Sequence, residues 1–127
     1  MEVEQKVWGT VRHLVYGPVC TSLLKVDAQT FCSIHRHHRR WNHFLVTEGI
    51  VDVVLYAVSP LGMLQITNRI QLTGNPSLGA SGYAVAPTVW HRFEVVRGGW
   101  IVEAYWTADG TPADIKDIER RQEGGRF

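Results

Sequence analysis

Four of the six histidines of this chain fall within the nine residues His35–His43, and another, His91, follows much later in Trp90-His-Arg-Phe93. Neutral imidazole is the commonest metal-ligating side chain. His35 and His37 are two residues apart, so on an extended strand they point to one face. A close pair plus a distant third histidine suits a metal bound inside a small β-barrel, with positions left open for water or substrate. The opposing reading is that such inward histidines are hydrogen-bonded core residues around an empty pocket. A second group with chemistry in it is Trp100–Trp106. Read as a strand, it puts Trp100, Val102, Ala104 and Trp106 on one face and Ile101, Glu103 and Tyr105 on the other. If the second face looks inward, Glu103 and Tyr105 are the polar groups of the pocket, and a carboxylate there is the kind of group general base catalysis uses. If it looks outward, Glu103 is a surface residue.

The elements that must position these groups are strands. Short apolar runs with period-two alternation recur from end to end, separated by Gly, Pro, Asn and Asp, and helical periodicity is nearly absent. Strands are predicted at 3–8, 11–16, 22–27, 30–37, 43–47, 51–58, 65–72, 83–86, 91–96 and 100–106. Glu48-Gly49 and Arg97-Gly98-Gly99 read as tight hairpin turns, while Ser59–Gly62 and Thr73–Gly82 read as loops. Thr111-Pro-Ala-Asp114 is a capping sequence for a short helix running to about Arg121, followed by a frayed or partner-docked tail. The expected organisation is a single all-β domain over 1–127: N-terminal strands in 1–20, a barrel core over about 22–106, and a C-terminal helix or tail over 109–127.

His35-x-His37, Asn42, Gly49 and the later Pro87-x-x-x-His91 resemble the two motifs of the cupin superfamily, G-x5-H-x-H-x3,4-E-x6-G and G-x5-P-x-G-x2-H-x3-N. The chain matches the paired histidines, the closing glycine, and the proline and histidine of the second motif. It departs at the carboxylate, replaced by Asn42, at the glycine after Pro87, at the spacing to His91, one residue short, and at the opening glycine. Arg40-Trp-Asn-His-Phe-Leu-Val-Thr-Glu-Gly49 is also locally similar to the cupin domain of type II mannose-6-phosphate isomerases. The resemblance implies a double-stranded β-helix, or jelly-roll barrel. It implies His35, His37 and His91 as ligands of one divalent ion (Fe, Zn, Ni, Mn or Cu), with Asn42 at the fourth, carboxylate position as a neutral, weaker donor. Two reaction types then stay open, isomerisation or epimerisation of a sugar-like or carboxylate metabolite and oxygen-dependent cleavage. Beside them stands a non-catalytic sugar-binding or metabolite-binding module without metal. Homodimers through N-terminal strands are common in the family and are expected here.

Composition narrows the partners. Thirteen basic and twelve acidic residues leave a net charge of +1, so no polyanionic partner is implied and nucleic-acid binding is not expected. No run of eighteen apolar residues and no signal-peptide core is present, which makes a cytoplasmic protein the expectation, with no membrane partner. Cys20 and Cys32 are too few for a disulfide scaffold and read as buried or half-buried thiols. His38 and His43 read as surface or rim groups and His13 as structural. Arg36, Arg39 and Arg40 read as solvated, although a phosphate or carboxylate substrate would suit them.

Overall fold

Alternation decides which side chains of each strand turn inward. In β3 (Val19–Val26), Cys20, Ser22, Leu24 and Val26 are buried while their neighbours are half or fully exposed. The computed structural model describes residues 3–127, and every regular element in it is a strand. Around β3 the chain runs through β1 (Val3–Lys6), β2 (Gly9–Val15), β4 (Thr30–Phe31), β5 (Ile34–Arg36), β6 (Arg40–Val58), β7 (Leu64–Gly74), β8 (Ser81–Val85), β9 (Trp90–Thr107), β10 (Glu119–Gln122) and β11 (Gly125–Arg126). The all-β jelly roll predicted from the sequence is what the chain forms. Residues 1 and 2 of the expected N-terminal strands lie outside the described residues. No helix among the described residues is long and apolar enough to cross a membrane.

β6 and β9 run antiparallel beside one another along nearly their whole lengths, from Arg40↔Thr107 to Tyr56↔Trp90. One half of this pair continues through β3, β2 and β1 on the β9 side and through β8 on the β6 side. The other half continues through β7 beyond β6, and through β4 and β5 beyond β9. The two halves make facing sheets whose inner side chains share one core, including Leu24, Phe44, Val46, Val53, Phe93 and Ile101. Trp8 and Phe44 both meet Phe93 edge-on, at 5.0 and 5.9 Å between ring centroids. Fully burying each such side chain contributes roughly 1.5–3 kcal/mol.

The hairpin turns expected at Glu48-Gly49 and Arg97-Gly98-Gly99 are corners instead. The strands do not reverse there; they bend together, and the pairing register slips between Val46 and Val51. Apolar alternation continues on both sides of each corner, so each half has its own face to bury and the chain gains more by folding over than by turning back. Glycine is needed because the backbones touch: Gly49 takes φ 109°, and a Cβ on Gly99 would collide with the carbonyl oxygen of Glu48.

The helix expected from Thr111 to about Arg121 is likewise absent. Asp109 accepts a hydrogen bond from the Thr111 backbone N–H and Asp114 from that of Lys116, local turns that compete with helix formation. The chain then adds β10 to β5 and β11 to β4, covering edges that would otherwise be open. Nor is the tail frayed: Phe127 packs on Phe31 at 4.8 Å, and the Arg92 guanidinium lies over Phe31 at 4.3 Å. Glu94 sits on the outer face, where Arg69 bridges it to Asp52 and Arg92 holds it at 2.7 Å.

Candidate metal centre

The predicted strand over residues 30–37 is interrupted after Phe31, and its second piece, β5, pairs with β9 so that His35 lies directly opposite His91. His37 follows one residue past β5, with its ring 5.0 Å from that of His35 and 5.5 Å from that of His91. His35 and His91 are 4.5 Å apart on the same measure. The three residues are buried, and one nitrogen from each lies within 4.8 Å of the others.

What fixes the rings is backbone. His35 Nδ1 donates to the Ser33 carbonyl (2.8 Å), His37 Nδ1 to the Asp117 carbonyl (2.6 Å) and His91 Nδ1 to the Val89 carbonyl (2.9 Å). With every Nδ1 engaged, Nε2 carries the lone pair on all three rings, that of His37 lying 3.5 Å from Arg40 Nη2, and this is the tautomer that metal-ligating histidines take when their other nitrogen is held in this way. His91 Nε2 is buried with no hydrogen-bond partner. Burial, and then the neighbouring imidazoles, hold His35 well below the usual histidine range. Burial and the Arg40 charge lower His37 to about 3, and burial lowers His91 to about 4. Three neutral imidazoles with one orphaned nitrogen fit a divalent ion of the kind nitrogen donors hold.

Of the three rings, that of His35 lines a cavity of about 530 Å³. Trp8, Val11, Phe44 and Phe93 give it an apolar wall, and His35, Arg40, Glu103 and Tyr105 a polar one. Of the two orientations open to Ile101, Glu103 and Tyr105, the inward one is observed. Asn42 is fully buried; its Nδ2 donates to Glu103 Oε2 at 3.0 Å, while its Oδ1 has no partner. Burial and the adjacent Cys20 push the Tyr105 phenol up, so it keeps its proton and can donate. His13, read as structural, is bonded between Ser22 (3.0 Å) and Glu4 (3.2 Å) and lines the cavity. His38 is exposed and paired with Glu119, and His43, on the outer face of its strand, is half-buried.

Two residues of the site were not legible as such. Arg40, read as solvated, is buried: its guanidinium lies 4.3 Å from the Tyr105 ring, and its Nη2 is 3.5 Å from His37 Nε2. Asp117 braces the turn between His37 and Arg40, its carboxylate accepting from the backbone N–H groups of His38, Arg39 and Arg40 at 2.8, 3.0 and 3.2 Å. Burial opposes ionisation of Asp117, but these three donors outweigh it and its carboxyl is lowered. A signal for Arg40 existed: it shares the parity of Asn42 and Phe44, which the strand turns inward. Nothing local marks Asp117.

No family model and no curated protein sequence matches the chain. Its fold is similar to three solved structures. Capsular polysaccharide assembling protein CapF from Staphylococcus aureus superposes with a TM-score of 0.70 at 15% identity, over 95% of this chain and 34% of that one. KdgF from Halomonas sp. gives 0.66 at 11% identity, over 90% of both chains. A mutant of Bacillus subtilis oxalate decarboxylase OxdC gives 0.67 at 8% identity, over 94% of this chain and 30% of that one. The chain thus spans about a third of CapF and of the decarboxylase, and most of KdgF. Strand pairing, the two folded-over long strands and these likenesses together give the chain the cupin fold, with the histidines of its cupin-like motif gathered inside the barrel.

Proposed function

We propose that this small cupin binds one divalent metal ion through His35, His37 and His91 and acts on a small polar metabolite in the adjoining cavity. The observation that carries the reading is the convergence of three buried imidazoles whose Nδ1 atoms are all tied to backbone carbonyls. When bound, such an ion supplies Lewis-acid polarisation or one-electron chemistry with dioxygen. The chain's own part is to position and to move protons. Asn42 stands at the motif's carboxylate position and offers an unpartnered Oδ1 as a weak fourth donor. Glu103, oriented by Asn42, is placed to exchange a proton with a substrate in the cavity, and Tyr105 to donate a hydrogen bond to it. Isomerisation or epimerisation of a sugar-like or carboxylate substrate, to which the mannose-6-phosphate isomerase likeness points, and dioxygenation both use such a site.

Elemental analysis of the purified protein beside His35→Ala and His91→Ala tests this. About one divalent ion per chain is expected in the parent, and a loss of most of it in both variants with the fold retained. Metal retained in both variants would refute the ligand set. A metal-free binding module is the second reading, favoured by the Arg40 charge so near His37 Nε2. A parent that takes up no metal after reconstitution yet binds small ligands would establish it.

We also propose a homodimer. The outer face of the sheet built on β3, β9 and β6 carries Leu23, Leu45 and Val102 half-buried, beside Trp41 and Trp106 stacked 6.4 Å apart with planes 3° from parallel. Sedimentation should give twice the 14.4 kDa chain mass, and Val102→Asp should reduce it to a monomer. A monomeric parent would refute the assembly.

A further inference from the structure

Arg40 is the most conspicuous charge in the barrel. The residue is 9% exposed, and Nε and Nη1 are buried without a hydrogen-bond partner among the described residues. Its one hydrogen bond, from Nη2 to His37 Nε2, is long at 3.5 Å. The guanidinium rests on the Tyr105 ring, which satisfies its face and leaves its N–H donors unmet. Arg36, Arg39, Arg69 and Arg92 each face a carboxylate within 3.1 Å, whereas no carboxylate lies within ion-pair distance of Arg40 among the described residues. A guanidinium cannot shed its proton at any relevant pH, so this is a buried positive charge without a counter-charge, an arrangement proteins rarely keep without a use.

The surroundings do not pair it. The three imidazoles beside it are neutral or, with an ion bound, part of a second cation. Of the carboxylates lining the cavity, Glu4 is held by His13 and Lys6, Glu103 accepts from the Asn42 amide, and Glu123 is exposed. We propose that the cavity takes a small organic carboxylate whose oxygens are bound by Arg40 beside the three-histidine cluster. One guanidinium matches the single charge and planar shape of a carboxylate. The apolar wall of Trp8, Phe44 and Phe93 opposite takes the rest of a small carbon skeleton. A phosphate group, the other source of anionic oxygens, carries more charge and commonly finds several donors or a helix N-terminus; of the other cations lining the cavity, Lys6 is paired with Glu4 and Arg120 is exposed, and no helix occurs among the described residues.

This inference rests on reading the cavity as the functional site, and its test separates it from the metal. Benzoate, benzamide and inorganic phosphate are titrated calorimetrically into the parent, Arg40→Gln and Arg40→Lys, both metal-free and zinc-loaded, with zinc content measured on each. Benzoate is expected to bind the parent saturably and at least tenfold more weakly to Arg40→Gln, with partial recovery in Arg40→Lys and the same zinc content throughout. Benzamide should not distinguish the three. Equal benzoate affinity in parent and Arg40→Gln, or no saturable benzoate binding to the parent, overturns the proposal. Phosphate binding more tightly than benzoate overturns the carboxylate assignment. A parent that binds no zinc but still loses benzoate through Arg40→Gln removes the metal and leaves the anion site standing.

Discussion

Taking the metal-free protein from pH 7 to pH 4 should lower its stability by several kcal/mol. Unfolded histidines titrate near 6.5, whereas in the fold His91 is held at about 4, His37 at about 3 and His35 well below 6.5. Between those limits the unfolded chain binds protons that the folded chain refuses, so stability rises with pH and is lost as pH falls. The loss begins just below pH 7 and ends for His91 near pH 4 and for His37 near pH 3. His91, fully buried, accounts for about 3 kcal/mol of it at 1.36 kcal/mol per pH unit, and the three protons are coupled, so the sum is smaller than three independent losses. Asp117, lowered by its backbone donors despite its burial, adds to the loss in the acid range below. Against a total stability of about 5–15 kcal/mol, that loss is a large share. Urea midpoints measured from pH 7 down to pH 4 check it, with His91→Asn flattening the dependence. A midpoint that does not move between pH 7 and pH 4 would show that the cluster is not buried as described.

Gly99→Ala should cost about 3–5 kcal/mol, far more than an ordinary Gly-to-Ala change in a strand. A Cβ there meets the carbonyl of Glu48, with its carbon at 2.5 Å and the Gly49 nitrogen at 3.0 Å. Those atoms belong to the backbone of the facing corner, so no rotamer change relieves the contact. Gly110→Ala is the matched control: its φ of 77° strains an alanine, yet no atom lies within 4 Å of the added carbon. That substitution should cost about 1–2 kcal/mol. Chemical denaturation of both variants separates close approach from backbone strain, and equal losses would refute the corner contact. Because β6 carries Arg40 and Asn42 and β9 carries His91, Gly99→Ala should also lower metal content.

The candidate site was half legible. Residue type and spacing identified His35, His37 and His91, because imidazoles two apart on a strand must share a face and a third must come from elsewhere. Strand parity likewise offered the inward face on which Glu103 and Tyr105 line the cavity. The same parity argument applied to Arg40, but its charge weighed toward solvent, and only the packing around Tyr105 shows that the stem is buried. Glu94, three residues after His91, falls on the opposite face of its strand, where Arg69 and Arg92 compensate it.

By itself the sequence determined that this chain is all-β, which residues of each strand turn inward, and which side chains could hold a metal. These follow from nearest-neighbour facts: apolar alternation, glycine placement and the donor chemistry of histidine. Tertiary structure alone decided that Gly49 and Gly98-Gly99 are corners and not hairpins, since a bend and a reversal need the same glycines and differ only in which strand waits alongside. It also decided that the tail after Thr111 forms β10 and β11 in place of a helix, since that segment's backbone bonds are completed by β5 and β4, 83 to 96 residues earlier. Asp117 bracing His37 and Arg40 belongs to the same class. Such contacts depend on partners far along the chain, and no local pattern carries information about them.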